Sequence, residues 1–467
     1  MKKEKQRRIS FVSLGCPKNT VDTERLMALL AQHGFLLAEQ PEDSDICLVN
    51  TCGFIADARQ EASEVLSELK TLRRRCGRPR VIAAAGCLVE HADRQGLESF
   101  LVDADLCVPF RDYLRLPEIL AAAAGERRTG VIRCRSDGAT SAKMDPAFHA
   151  LPRVITGAGH SVSLKISEGC SNGCSFCAIP AIRGRQMDRS MKDIVREAKE
   201  LVASGAREIN LIAQDTSAYG LQRYKEKRLA ELLRRLAGEV EEDVWFRLMY
   251  VYPGHLDEEM VSVLASDPRF CRYVDIPLQH INDRLLHAMR RPCTKKETLH
   301  LLDRLRDQLP GVALRTALIV GFPGETEDEF NELLDFVREE AFDHLGVFTY
   351  SPEPGTLACK LTDAVPEEEK LRRSNLVMKI QQELSEEKLR RMKDQVVEVM
   401  LDGECQVDEE QGPAVNIPAG RTQGQAPEID GMVLIEAWPE DFVPQPGVRC
   451  RVEITDTSIY DLFGKVC

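Results

Sequence analysis

The chain has 467 residues, 43% of them hydrophobic and 29% charged, which is long enough for two or three domains, each with its own core. No apolar run approaches the roughly 18 residues that a membrane-spanning helix needs, so the composition is that of a soluble globular chain, expected in the cytoplasm. The net charge of −13 is uneven: residues 394–467 carry 15 acidic and 4 basic side chains, which is either a plain solvated surface or one that repels nucleic-acid phosphates and attracts a basic partner.

The first third alternates strand and helix patterns. "RISFVSLGC" (8–16), "DICLVNTC" (45–52) and "RVIAAAGC" (80–87) are apolar runs suited to buried parallel strands, with helical patterns at 23–34 and 58–77 between them. The apolar part of 9–16 is too short for a signal segment, so it reads as the first strand. This predicts an α/β fold with an amino-terminal parallel domain over 6–124, followed by a Gly-, Ser-, Thr- and Pro-containing linker over 125–158. Six further strand patterns follow, at 161–167, 208–214, 245–251, 272–278, 312–321 and 344–350. Six βα units are too few for a closed eight-stranded barrel but suit a partial, open (βα)6 barrel, placed at 159–391. Within it, Ser190 and Asp193 form a capping-box pattern ahead of an apolar face at Ile194, Val195, Ala198, Leu201 and Val202, with Gly205 as the stop. A charged helix at 366–393 leads to short alternating strands over 394–466, a small antiparallel barrel.

Sixteen cysteines are dilute in a chain of this length, and several fall in tight spacings that suit metals better than bridges, implying a reducing compartment. "EGCSNGCSFCAIP" (168–180) holds Cys170, Cys174 and Cys177 in a C-x3-C-x2-C spacing just after a strand. Three soft thiolates suit a zinc ion completed by a histidine such as His160, or an iron–sulfur cubane with one iron left open. Cys16, Cys52 and Cys87 each follow a predicted parallel strand, at the edge where ligands gather in open α/β sheets. Cys47 lies mid-strand as a core residue, Cys76 sits in polar "RRRCGR", and Cys107 is the rival ligand in this group.

The triplet, with Phe176 before its last cysteine, resembles the radical S-adenosylmethionine (SAM) signature. Together with the three amino-terminal cysteines and the terminal barrel, it makes nearly the whole chain resemble the radical SAM methylthiotransferases. That resemblance implies two [4Fe–4S] clusters, one on Cys170, Cys174 and Cys177 and an auxiliary one on Cys16, Cys52 and Cys87, with a terminal TRAM domain. In that family the amino and carboxylate groups of SAM occupy the open iron of the first cluster. One SAM supplies a methyl group to sulfur at the auxiliary cluster, and another yields the radical that abstracts hydrogen. "LKISEGC", "EINLIAQDTSAYG", "VDIPLQH", "VGFPGET", "VFTYSPEPGT" and "QAPEIDG" (425–431) resemble the RimO type, which modifies the β-carbon of an aspartate in ribosomal protein uS12. The resemblance implies a basic protein substrate, free or within the small ribosomal subunit. It also implies an electron donor such as flavodoxin or ferredoxin, a sulfur donor, no membrane association and a monomer. Relatives that modify a tRNA adenosine are the alternative, and a more basic terminal domain is expected of them. A non-catalytic metal-bearing binding protein is the second alternative.

Other strand-end residues are candidates for cofactor binding. Gln214 and Asp215 end the second core strand, and Asp215 equally suits capping of the next turn. Gly321 and Gly324 in "GFPGET" permit close backbone approach to a ligand, or form an ordinary turn. Gln279 and His280 end the fourth strand, where His280 reads as a satisfied polar neighbour. Arg183 and Arg185 suit either the SAM carboxylate or a buried acid. The chain departs from the family pattern at "DRS" (188–190), at Ser161 to Ser163 where an aromatic is usual, and at Gln423 where a tyrosine is common.

Overall fold

Strands Ile46–Thr51 and Val81–Gly86 are buried along their whole length, as expected of apolar runs covered on both faces. They form the centre of a parallel sheet in a computed structural model that describes residues 6–125, 132–133, 144–240, 243–407 and 415–467. The parts of the expected linker at 126–131 and 134–143 lie outside the described residues. The chain forms two compact units: Met1–Thr156 with Ser167–Arg189 and Ser351–Lys360, and Gly157–Ile166 with Ser190–Tyr350 and Leu361–Cys467.

In the first unit the parallel sheet runs, in spatial order, Leu36–Leu37, Arg8–Ser13, Ile46–Thr51, Val81–Gly86, Leu106–Val108, Ile132–Arg133. The chain winds outward in one direction and then reverses, so the sheet has a switch point between Arg8–Ser13 and Ile46–Thr51. Ser13 pairs with Asn50, and Asn50 with Ala85, so three neighbouring strands end at one level. The first helix, Pro17–Gln32, starts six residues before the periodicity suggests, with Pro17 in its first turn. Its opening turns are buried but polar, with Lys18, Asn19, Asp22, Thr23, Glu24 and Arg25 all covered, and so carry no apolar stripe to read. The second helix, Ala56–Cys76, stops at Gly77 in the left-handed region.

In the second unit six parallel strands stand in chain order, from Ser161–Lys165 through Glu208–Ile212, Trp245–Leu248, Phe270–Asp275 and Ala313–Val320 to His344–Thr349. This is the expected partial (βα)6 barrel. Helix Met191–Ala203 opens where Ser190 Oγ accepts the Asp193 N–H at 3.1 Å, while the Asp193 carboxylate accepts the Ser190 hydroxyl. Full reciprocal capping boxes open Lys295–Gln308 and Glu327–Glu340, at Thr294/Glu297 and Thr326/Glu329.

Helix Glu367–Arg390 leads into a closed barrel of Val396–Val407, Val415–Arg421, Val433–Ala437, Leu462–Val466 and Arg449–Thr457. Val399, Leu401, Val433, Ile435, Val452, Ile454 and Leu462 fill it. One expectation is corrected here: Val433–Ala437 and Leu462–Val466 pair in parallel. Five strands closed in a ring cannot alternate direction at every junction, so one neighbouring pair must run the same way.

Candidate cluster-binding site

Cys16, Cys52 and Cys87 leave the three level strand ends beside the switch point, and three glycines bring their loops together. Gly15 has φ +90°, and a Cβ there would lie 2.8 Å from Cys52 Cβ and 3.1 Å from its Sγ. A Cβ on Gly53 would lie 2.5 Å from Leu88 Cα and 2.9 Å from the Cys87 carbonyl carbon. Gly86, at φ +95°, would meet Thr51 backbone atoms at 2.5 and 2.7 Å. At Gly53 and Gly86 these neighbours are main-chain atoms and at Gly15 they are the Cys52 side chain, and only glycine permits these approaches. Burial pushes the Cys87 thiol up to about 12, with the Arg183 charge opposing and the Cys52 and Cys16 charges adding to the rise. Burial likewise raises Cys52, whose electrostatic neighbours include Cys16 and Arg183. The three sulfurs therefore share one electrostatic neighbourhood.

The triplet loop belongs to the same compact unit. Its base is stapled by a two-residue antiparallel ribbon, Ser167–Glu168 with Met187–Asp188, and by Cys170 N donating to Gly184 O at 2.9 Å. Gly169, at φ +74°, lies so close to that return strand that a Cβ would meet Arg185 O at 2.5 Å. Cys170 is buried, whereas Cys174, Phe176 and Cys177 are half-exposed. The Asn172 N–H points at Cys170 Sγ from 3.4 Å, and Cys177 N donates to Cys174 O at 3.3 Å. The loop ends in the short helix Ile179–Ile182, whose Ala178 and Ile182 flank pack in the same apolar cluster as Cys87, Phe110 and Tyr113.

Arg183 follows, and it decides between the two roles its sequence left open: it meets buried acids. Its NH1 donates to Asp22 Oδ2 at 3.0 Å and Glu168 Oε1 at 2.8 Å, its NH2 to Asn19 Oδ1, and its Nε to Cys87 Sγ at 3.2 Å. Burial works against the cation, but Cys87, Glu168 and Asp22 outweigh it and raise the Arg183 pKa. This cluster of Asn19, Asp22, Glu168 and Arg183 was not visible as a site in the sequence. Its one local sign is the run of polar residues after Cys16 on a helix face that turns out to be buried.

Three family patterns match the chain: an uncharacterized protein family, UPF0004, over 8–108, the Radical SAM superfamily over 164–337, and a TRAM domain over 395–467. Among solved structures, the radical SAM methyltransferase TsrM from Kitasatospora setae shares the fold, with TM-score 0.55 and 18% identity over 75% of each chain. The ribosomal protein uS12 methylthiotransferase RimO of Anaeromyxobacter sp. (strain K) is 41% identical over 98% of this chain and 93% of its own length. That of Geobacter sulfurreducens is 39% identical over 98% of both chains. The chain belongs to the RimO family of radical SAM methylthiotransferases.

The residues present fit the two clusters associated with the RimO family. Cys16, Cys52 and Cys87 form a soft donor set on segments brought close at Gly15, Gly53 and Gly86. The Tyr113 hydroxyl, fully buried and within electrostatic reach of Cys87, has no hydrogen-bond partner among the described residues, and a cluster sulfide is an acceptor of the right kind. Among the described residues no group of three or more His, Cys, Asp or Glu side chains is close enough to hold a single metal ion. Cys107 packs with Cys47 in a different apolar cluster from Cys87. His160 lies in the other unit, where its Nε2 meets Asp402 Oδ1 at 2.8 Å.

Arg185 lies in the first unit with the triplet loop, and the strand-end candidates Gln214, Asp215, His280, Gly321 and Gly324 lie in the second. Both Asp215 oxygens are engaged: Oδ1 accepts from Ser217 Oγ at 2.7 Å and Ala218 N at 3.1 Å, and Oδ2 meets His255 Nδ1 at 2.9 Å. Gln214 precedes it at the strand end. His280 is buried, with Glu325 Oε1 3.4 Å from its Nε2 and the Asn282 N–H 3.0 Å from its Nδ1. Gly321, at φ +73°, donates its N–H to Glu325, and a Cβ there would strike Lys370 Cγ at 2.3 Å. Gly324, at φ +79°, has nothing closer than 3.8 Å to a built Cβ.

Proposed function

We propose that this chain inserts a methylthio group at the β-carbon of an aspartate of ribosomal protein uS12, within a cytoplasmic, monomeric enzyme. On this reading Cys170, Cys174 and Cys177 hold the radical-generating [4Fe–4S] cluster, and Cys16, Cys52 and Cys87 hold the auxiliary one. The organisation is an amino-terminal methylthiotransferase domain at 6–124, a linker at 125–158, a radical SAM core at 159–391 and a TRAM domain at 394–466. When bound, the clusters and two SAM molecules supply the electron transfer, the radical, the sulfur and the methyl group. An electron donor such as flavodoxin or ferredoxin and a separate sulfur donor complete the requirement.

The chain's own contribution is placement. Glycines 15, 53 and 86 hold three thiols at one sheet edge, and the ribbon at 167–188 holds the triplet loop closed. Phe176 in the triplet loop is a candidate for SAM binding, and the strand-end residues Gln214, Asp215, Gly321 and Gly324 of the second unit shape their own strand ends for a ligand. Asp215 does so by fixing its turn and orienting His255. The observation that carries the reading is the Arg183 contact with Cys87, which joins the segment after the triplet to the amino-terminal cysteines within one unit. The protein substrate is supported by the acidic tail, because ribosomal proteins are basic and tRNA phosphates are repelled by the same charge.

Two single variants test the division of labour. Cys174→Ala is expected to abolish reductive release of 5′-deoxyadenosine from SAM while retaining iron at the amino-terminal site. Cys52→Ala is expected to keep that release and lose methylthio transfer. A Cys174→Ala protein that still forms 5′-deoxyadenosine would overturn the assignment.

A further inference from the structure

Arg183 is 3% exposed, and each of its three guanidinium nitrogens donates a hydrogen bond. Asp22 and Glu168 neutralise it, Asn19 takes NH2, and the Phe110 ring lies 5.0 Å from its central carbon. A cation needed only to balance two buried carboxylates has no reason to present its Nε–H to a sulfur. Here Nε–H points at Cys87 Sγ, on the residue that begins helix Cys87–Gln95. Arg94 of that helix also donates to Ala181 O at 2.7 Å, so the segment after the triplet grips this helix twice.

We propose that Arg183 is a positioning residue for the auxiliary cluster: it holds the Cys87 thiolate by an N–H···S bond and thereby sets that cluster's reduction potential from the segment that follows the radical SAM triplet. The inference rests on the reading that Cys16, Cys52 and Cys87 hold a cluster. The reduced cluster carries one more negative charge than the oxidised one. A hydrogen bond and a fixed positive charge beside a ligand sulfur stabilise the reduced form more, which raises the potential. The two carboxylates moderate the charge, while the directional bond to sulfur remains. Arg183 also restrains the Cys87 side chain, so the same contact fixes one cluster ligand in position.

The test uses the full-length chain with Cys170, Cys174 and Cys177 all changed to alanine, so that only the auxiliary set remains, reconstituted anaerobically with iron and sulfide. Iron and sulfide content come first: a chain that takes up no cluster removes both the cluster assignment and this inference. With a cluster present, the midpoint potential is measured by redox titration followed by electron paramagnetic resonance. Arg183→Met is expected to move the midpoint in the negative direction, and Arg183→Lys, which keeps the charge, to move it less. In protein labelled with 15N-arginine, the reduced cluster is expected to show hyperfine coupling to one arginine nitrogen that Arg183→Lys removes. This readout does not depend on Arg183→Met folding. A cluster with no arginine coupling, or variants whose bound cluster keeps the parent midpoint, would overturn the role of Arg183 and leave the cluster assignment standing.

Discussion

A methyl group on Gly53 would sit 2.5 Å from the Cα of Leu88, in the first turn of the helix that Cys87 begins. Neither partner is a flexible side chain, so main chain must move and the distance between the Cys52 and Cys87 loops must grow. Gly53→Ala is expected to cost about 1–3 kcal/mol through overpacking and to lose the auxiliary share of bound iron while keeping the triplet share. Iron and sulfide analysis of the variant checks this, and full iron loading would contradict it. The six candidate cysteines stand out in the sequence because each lies at a strand end or in a tight local spacing. The Arg183–Cys87 contact could not, since the two residues are 96 positions apart and only the fold brings them within 3.2 Å. Asp215 carries two readings in the sequence, a cofactor-binding acid or a turn cap, and its oxygens meet a turn and a histidine.

The strands were readable as apolar runs, and the end of helix Ala56–Cys76 was marked by Gly77. The start of Pro17–Gln32 was not, because its first turns bury polar side chains for the site's benefit and so break the apolar period. Where capping signals do the work, single changes have bounded effects. Thr326 accepts the Glu329 N–H at 3.3 Å and, through Glu329, has its own N–H satisfied at 2.9 Å. Thr326→Ala is expected to cost about 1 kcal/mol in a denaturant titration. Gly321→Ala should cost more, about 1–3 kcal/mol, because its left-handed φ of +73° adds backbone strain to the clash with Lys370. Equal effects of the two variants would mean that the "GFPG" turn relaxes. Two departures from the family pattern fall on one seam between core strands and terminal barrel: Ser161 Oγ donates to Glu208 at 2.7 Å, and Gln423 O accepts from Arg247 at 2.7 Å. In "QAPEIDG", Asp430 accepts the Tyr273 hydroxyl and the Ala426 N–H, each at 2.8 Å, so this sequence mark of the family also serves as a clasp to the core.

Within the second unit, the barrel is joined to the core through buried charge. Glu208 meets Arg247 and Arg421, both at 2.8 Å, and Arg421 reaches on to Asp402, which holds His160. Burial opposes the Glu208 carboxylate, but the two guanidinium groups outweigh it and lower its pKa from the ordinary 4.5 to about 2. A carboxylate with a depressed folded pKa contributes stability that is full above pH 4.5 and is lost as pH falls from there towards about 2. The wild-type chain is expected to lose stability through that window, and Glu208→Gln to flatten that part of the profile. At neutral pH the same variant leaves two buried guanidinium groups short of a partner and is expected to cost about 3–5 kcal/mol. An unchanged acid limb would show that the network does not hold the barrel to the core. On the scale of the whole chain, the amino-terminal parallel sheet, the six-stranded sheet and the terminal barrel were readable from its periodicities, whereas the parallel closing pair of the barrel follows from strand number and not from any local pattern. The concentration of negative charge in residues 394–467 is the whole-molecule feature that bears on substrate choice. The most direct measurement is mass spectrometry of a competition assay, in which anaerobically reconstituted enzyme, reductant, SAM and sulfide meet purified uS12 and bulk tRNA together. A methylthio group on one uS12 aspartate with tRNA unmodified is the expected result; modified tRNA beside unmodified uS12 would contradict the account.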